Sequence, residues 1–369
     1  MTWTPRVDCR HYLGDRPCRF KRTCPGCPHH APRGAEVLVV KLAALGDVLR
    51  TCALLPALRR RHGDDAFITW VTKPAALPLV AGQPLVDRAL PLGIETLTAL
   101  TGRRFDAVYV LDKEDAATGL GLMVTTARRY GFIHDTRGAL APANAEAGYY
   151  WRLGLDDDEK FFNSQLSYQQ LLSDALGLDW RDERYELEPG RENALRAREI
   201  IGDLGGDRPV LVGLNIGAGG VFAHKNWPLE RYAELIETQP ERRFLLLGGP
   251  REAAALERLA RYGNAKNSGA DNPLPVFAAL CAACDAVITG DTLGLHVSLA
   301  VGTPVVALFG PTCPQEIELH GLGEKLISPA DCAPCYSRAC DYSPTCMELI
   351  SLEAVESALE RVLSGGGDA

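Results

Sequence analysis

Apolar positions in this chain fall into short unbroken runs separated by amphipathic stretches. VLVVK (37–41), AFITWVT (66–72), VDRALPL (86–92) and FDAVYVL (105–111) read as strands. Runs without polar alternation suit parallel strands covered on both faces. After the first of them, DVLRTCALLPALRRRHG carries the helical period from Asp47 and stops at Gly63. The rhythm returns with PVLVGLNIG (209–217), RRFLLLGG (242–249), DAVITG (285–290) and VVALFG (305–310). Helices are expected between and after them, at 228–238, 251–262, 274–283 and 291–301. Such alternation builds doubly wound α/β sheets. The chain thus reads as two α/β halves meeting near 185–208.

Other stretches break the rhythm. Residues 134–190 are less regular, with one helix expected from about Ser167 to Leu176. EPGRENALRAREIIGDLG predicts a helix before the second series, and SLEAVESALERVLS an amphipathic one at the end. Residues 1–34, rich in Cys, Pro, Arg and His, show neither period.

Composition narrows the class. A chain of 369 residues has room for two ordinary domains, and 46% hydrophobic with 23% charged residues describes a soluble globular protein. A net charge of -8, with only short basic clusters at Arg19–Arg22 and Arg59–Arg61, argues against nucleic acid as a partner. No apolar run is long enough to span a bilayer, and MTWTPRVDCRHYLGDRPCRF lacks a signal-peptide core. A cytoplasmic protein is expected.

In doubly wound sheets, ligands bind at the carboxyl ends of strands. LAALGDV puts Asp47 there, as a helix-capping residue or a general base. NIGAGGVFAHKNWP follows a strand with Gly217, Ala218, Gly219 and Gly220 and places Lys225 before a helix. That lysine is an exposed loop residue or a diphosphate clamp. In GGPRE, Glu252 either complements a helix dipole or receives ribose hydroxyls.

The stretch DAVITGDTLGLHVSLAVGTPVVALFGPT (285–312) is the most informative. Asp291 or Thr292 can cap a helix whose free N–H groups favour an anion, and Gly290 and Gly294 allow a phosphate close to the backbone. Like charges keep Asp291 from a bare diphosphate, so capping and sugar hydroxyls suit it better. His296 lies off that helical face, as an interior residue or a site residue. Asp156–Asp158 reads as a solvated acidic loop, not a metal site.

Twelve cysteines in a cytoplasmic chain point to metal more than to disulfides. Cys9, Cys18, Cys24 and Cys27 form C-x8-C-x5-C-x2-C; Cys332, Cys335, Cys340 and Cys346 form C-x2-C-x4-C-x5-C. Each quartet suits tetrahedral zinc, with iron or an iron–sulfur centre open. Cys281, Cys284 and Cys52 lie in apolar helical stretches and read as core residues, and Cys313 stays unassigned.

VLVVKLAALGDVLRT, KNWP, GGPRE and GDTLGLHVSLAVGTPVVALFGPT, in that order across about residues 36–360, resemble glycosyltransferase family 9, the lipopolysaccharide heptosyltransferases. The resemblance implies a GT-B fold, two Rossmann-like domains facing a cleft. Residues 1–34 would be a cysteine-rich segment, 35–190 the acceptor domain and 191–330 the nucleotide-sugar domain. Residues 331–369 would carry the second cysteine group and a final helix returning to the first domain.

The resemblance also implies roles. Asp47 matches the catalytic base, Lys225 the diphosphate-binding lysine, Glu252 a ribose-binding acid, and Asp291, Thr292 and His296 the donor segment. Asn272 would lie near the base, and Gly217, Ala218, Gly219, Leu293 and Gly294 beside the donor. Many members have Asp-Thr-Gly where this chain has Asp291-Thr292-Leu293, with Gly294 next, so the sugar pocket can differ. Autotransporter-modifying relatives hold cysteine-bound iron, which keeps iron open.

The implied reaction is inverting transfer of heptose or a related sugar from an ADP-heptose-like donor to a lipopolysaccharide or other envelope-glycan acceptor. It needs no cofactor, and a lipid-linked acceptor would bring the enzyme to the inner membrane's cytoplasmic face. The alternatives are an inactive GT-B protein serving as a metal-stabilised assembly component, a nucleotide-sugar epimerase, or a redox iron–sulfur protein. Asp47, Lys225 and Asp291 together favour the transferase, since a binding module needs no base.

Overall fold

A computed structural model describes residues 3–202, 210–217 and 225–365. The chain divides into two compact units, Met1–Asp156 with Gln169–Glu183 and Asp157–Tyr168 with Arg184–Ala369. Residues 157–168, expected with the first domain, therefore group with the second.

The first unit holds strands β1 (Glu36–Val40), β2 (Phe67–Thr72), β3 (Arg88–Pro91), β4 (Arg104–Phe105), β5 (Ala107–Val110), β6 (Thr125–Thr126), β7 (Arg129–His134) and β8 (Leu140–Pro142). Its main sheet runs β3-β2-β1-β5-β7-β8, parallel except for β8 against β7; β4 and β6 pair separately. Strands β2 and β5 are buried along their whole length, which is why their sequences lack polar alternation. Leu38, Val40, Val71, Val108 and Val110 meet Leu100, Phe105 and Leu120 in one core cluster. Each such side chain contributes roughly 1.5–3 kcal/mol by leaving water.

The single helix expected after β1 is segmented into Leu45–Thr51, a 3₁₀ turn at Cys52–Leu54, and Leu55–His62. Pro56 has no N–H for the helical ladder, so the chain rewinds around it. Gly63, at φ +96, ends the last segment. Strands β7 and β8 were not expected: their mixed burial leaves no clear period of 2.

The second unit holds β9 (Leu211–Asn215), β10 (Arg243–Leu247), β11 (Ala265–Asn267), β12 (Ala286–Gly290), β13 (Val305–Phe309) and β14 (Gly323–Ile327). All pair in parallel in the order β11-β10-β9-β12-β13-β14. This is the doubly wound Rossmann order, with its reversal between β9 and β12. Helices Leu229–Thr238, Ala253–Leu259, Leu274–Ala282 and Leu293–Ala300 fall where the periodicity put them.

The final helix, Leu352–Leu363, buries Val355, Ala358, Leu359 and Val362 in the second sheet's core beside Val306 and Leu308. Their spacing makes one apolar stripe, which that sheet face covers. Ser351 caps it, accepting a hydrogen bond from the Ala354 N–H at 3.2 Å. Among the described residues no helix is long and apolar enough to cross a membrane.

Candidate functional site

Each sheet reverses its strand order once, and the residues just past the strands at that point make each unit's candidate site. In the first unit the reversal lies between β1 and β5. Lys41 follows β1 and pairs with Asp112, which follows β5; their side chains are 4% and 11% exposed. The Lys41 ammonium also donates to the Ala43 carbonyl at 2.6 Å, and the Asp112 carboxylate accepts from the Leu42 and Ala43 N–H groups. This buried pair braces the loop leading into helix Leu45–Thr51.

Asp47 sits in that helix's first turn, but Ala44 holds the cap position. The capping role considered for Asp47 is therefore not the one it plays, because its carboxylate turns to Arg50. Arg50 donates through Nε at 3.0 Å and lies 2.8 Å away through Nη2. The guanidinium is almost buried while the Asp47 side chain is 33% exposed, so Arg50 holds a partly exposed carboxylate.

In the second unit the reversal between β9 and β12 is spanned by Asn215, the buried last residue of β9. Its amide donates to the hydroxyls of Thr289 and Thr292, each at 2.9 Å. Thr292 caps helix Leu293–Ala300, accepting from the Gly294 N–H at 3.1 Å. The structure thus assigns the cap to Thr292 and not to Asp291. The Asp291 carboxylate instead binds Lys225, whose ammonium lies 3.0 Å from it and 3.3 Å from the Asp291 carbonyl. Gly294 is required here: a Cβ would stand 2.6 Å from the Asn215 amide carbon. Leu293 is half-buried at the first helical position.

Glu252 closes the neighbouring strand ends. Its carboxylate accepts from the Gly249 N–H at 2.9 Å, and a Cβ on Gly217 would stand 2.9 Å from its carboxyl carbon. Asn272 donates to the Ser268 and Gly269 carbonyls, both at 3.0 Å, and so holds its own loop past β11. His296 is buried, its Nδ1 3.1 Å from the Tyr185 hydroxyl, in the interior setting considered for it. Ala218, Gly219 and Gly220 lie outside the described residues. Asp156–Asp158 are exposed, as expected of a solvated acidic run, but Asp157 and Asp158 are helical and not loop.

Three residues at these strand ends escaped the sequence reading: Lys41, Asp112 and Asn215. The available signal was a charged or amide side chain closing an apolar strand, in VLVVK, VYVLD and LVGLN.

Cys52 and Cys281 are core residues, and burial pushes each thiol up to about 12; burial also raises Cys284 well above the ordinary range. Cys9, Cys18, Cys24 and Cys27 line one cavity of about 510 Å³ together with His11, His29 and His30. Each of the four carbonyls accepts a turn bond, from Tyr12, Lys21, Cys27 and His30 in order. At the other end, burial raises the Cys346 thiol, and Cys335, Cys340 and Cys332 add to the effect. Among the described residues no group of three or more His, Cys, Asp or Glu side chains is arranged to hold a metal ion.

Known proteins sharpen this picture. The model of glycosyltransferase family 9 (heptosyltransferase) matches residues 95–345. Lipopolysaccharide heptosyltransferase 1 of Pseudomonas aeruginosa is 28% identical over 336 residues, covering 84% of this chain and 88% of that protein. The solved E. coli ADP-heptose lipopolysaccharide heptosyltransferase II superposes with a TM-score of 0.65 at 21% identity, over 89% of this chain and 98% of the other. The dodecameric iron-containing heptosyltransferase TibC, from enterotoxigenic E. coli and solved with ADP-D-β-D-heptose, gives a TM-score of 0.54 at 12% identity, over 89% and 76%. These likenesses support a GT-B-like fold.

Proposed function

Because the chain belongs to glycosyltransferase family 9, we propose that it transfers heptose or a closely related sugar from an ADP-heptose-like donor to a lipopolysaccharide acceptor. Two strand-end sites carry the reading: a carboxylate oriented by Arg50 on the first unit, and a cation beside a capped helix N-terminus on the second. In this reading residues 35–190 serve the acceptor and 191–330 the donor.

Asp47 takes the proton of the attacking acceptor hydroxyl. Arg50 holds the carboxylate in place from its buried side. Lys225 turns from Asp291 toward the departing diphosphate, and the N–H groups of helix Leu293–Ala300 stabilise its charge. Asp291 and Glu252 then face sugar and ribose hydroxyls, with Asn272 near the base. Gly217 leaves room for the diphosphate beside the backbone, Ala218 and Gly219 belong to the donor segment by the family resemblance, and His296 supports the donor helix from within. Displacement without a covalent intermediate inverts the anomeric centre. Leu293, where many members have Gly, shapes the sugar pocket. A lipid-linked acceptor brings the reaction to the cytoplasmic face of the inner membrane.

Both cysteine quartets are metal sites in this reading, with zinc favoured over iron. The shared cavity at Cys9, Cys18, Cys24 and Cys27 and the mutual influence of Cys332, Cys335, Cys340 and Cys346 support it. Bound metal would order these loops. Elemental analysis of anaerobically purified protein tests this, and its colour separates iron from zinc; substoichiometric metal refutes it.

The deciding experiment on transfer is Asp47→Ala. It is expected to lower turnover about 10²–10⁴-fold while ADP binding persists. Near-wild-type turnover in the purified variant would sink the assignment.

A further inference from the structure

The turn Gly310–Cys313 follows β13, next to the strand whose end carries Asp291. Nearly every residue of that turn is held by the C-terminal cysteine segment. A Cβ on Gly310 would stand 2.6 Å from the Cys346 sulfur and 2.7 Å from the Met347 sulfur. The Pro311 carbonyl accepts from the N–H groups of Cys335 at 3.2 Å and Tyr336 at 2.8 Å. The Cys313 N–H donates to the Tyr336 hydroxyl at 3.3 Å. Below the cluster, the Ser328 hydroxyl donates to the Cys346 carbonyl at 2.6 Å.

Tyr336 is itself clamped. Its ring stacks on Phe161 with centroids 5.4 Å apart and planes 11° from parallel. The Lys160 ammonium lies 3.9 Å from its centroid, and the Gln315 amide donates to the Lys160 and Phe161 carbonyls at 3.2 Å each. Stacking and a cation over the ring together fix an aromatic side chain more firmly than burial alone. Within the turn, Thr312 is 1% exposed and its hydroxyl meets no hydrogen-bond partner among the described residues. That group retains a hydrogen bond for something bound to make.

We propose that the cysteine loop is a working wall of the donor site, with Tyr336 as the positioning residue that sets the Gly310–Cys313 turn. The proposal rests on the donor reading of the second unit. A nucleoside diphosphate-sugar lying across the ends of β12 and β13 meets this turn, so whatever loosens the cysteine loop weakens donor binding more than it slows chemistry. Tyr336→Phe keeps the stack and loses the acceptor; Tyr336→Ala loses both.

Hydrogen exchange of the full chain reads the turn directly. Tyr336→Ala is expected to speed amide exchange across 310–313 at least about ten-fold and to raise the donor KM about ten-fold, with kcat within about three-fold. Tyr336→Phe should shift both by about two- to five-fold, and Cys332→Ser with Cys335→Ser should follow Tyr336→Ala. Unchanged exchange, or faster exchange with an unchanged KM, overturns the proposal. Lys225→Met is the separating control: if it leaves donor KM unchanged, the donor reading has failed, while exchange still decides whether Tyr336 holds the turn.

Discussion

The two units place a lysine–aspartate pair at the same point, across the reversal of strand order, and use it differently. In the first unit the Lys41 and Asp112 side chains are 4% and 11% exposed, and the carboxylate also takes backbone N–H groups of the adjoining loop. In the second, Lys225 and Asp291 are 15% and 17% exposed, and the lysine meets the Asp291 carboxylate and carbonyl. Burial is the difference. A buried pair cannot release either ion without a large desolvation penalty, whereas a partly exposed one can exchange its partner for a ligand. One is a brace; the other is the proposed clamp.

The largest test of that contrast is Lys41→Met. Leaving Asp112 buried without its cation should cost about 3–5 kcal/mol, read as a lower denaturation midpoint of the first unit. Lys41→Met with Asp112→Leu should recover much of the loss, since an apolar pair needs no desolvation. Next comes Lys225→Met, expected to change stability by less than about 1 kcal/mol. It should weaken donor binding by about 1.5–3 kcal/mol, read by calorimetry with ADP. If it unfolds the protein as Lys41→Met does, the contrast collapses. The smallest effect is Thr292→Ala: loss of a helix cap should cost about 1 kcal/mol, with a matching fall in thermal midpoint.

Much of the fold was legible because unbroken apolar runs and helical periods are local signals. Four of the second sheet's six strands, β9, β10, β12 and β13, needed only that rhythm. Edge strands were not legible: Gly323–Ile327 is half-buried and polar enough to pass for loop. The sequence offered candidates where a residue type at a strand end suggests chemistry by itself, as with the roles proposed for Asp47 and Lys225. It failed where the role depends on a distant neighbour. Asp291 looked like a cap until Lys225, 66 positions earlier, claimed its carboxylate. Asn215 works through Thr289 and Thr292, and Tyr336 through Phe161, and no window of sequence contains those pairs. The final helix's apolar stripe states that a face is buried but not against what; the second sheet's core supplies the partner.

Residues 157–168 lie in the first half of the chain yet group with the second unit, so the polypeptide passes from one unit to the other three times. The units are therefore laced together and not strung in sequence. A fragment cut at the apparent boundary near residue 184 would lack Lys160 and Phe161, and with them the support of Tyr336. On the ribosome, the second unit has this strip in hand before any of its own strands exist.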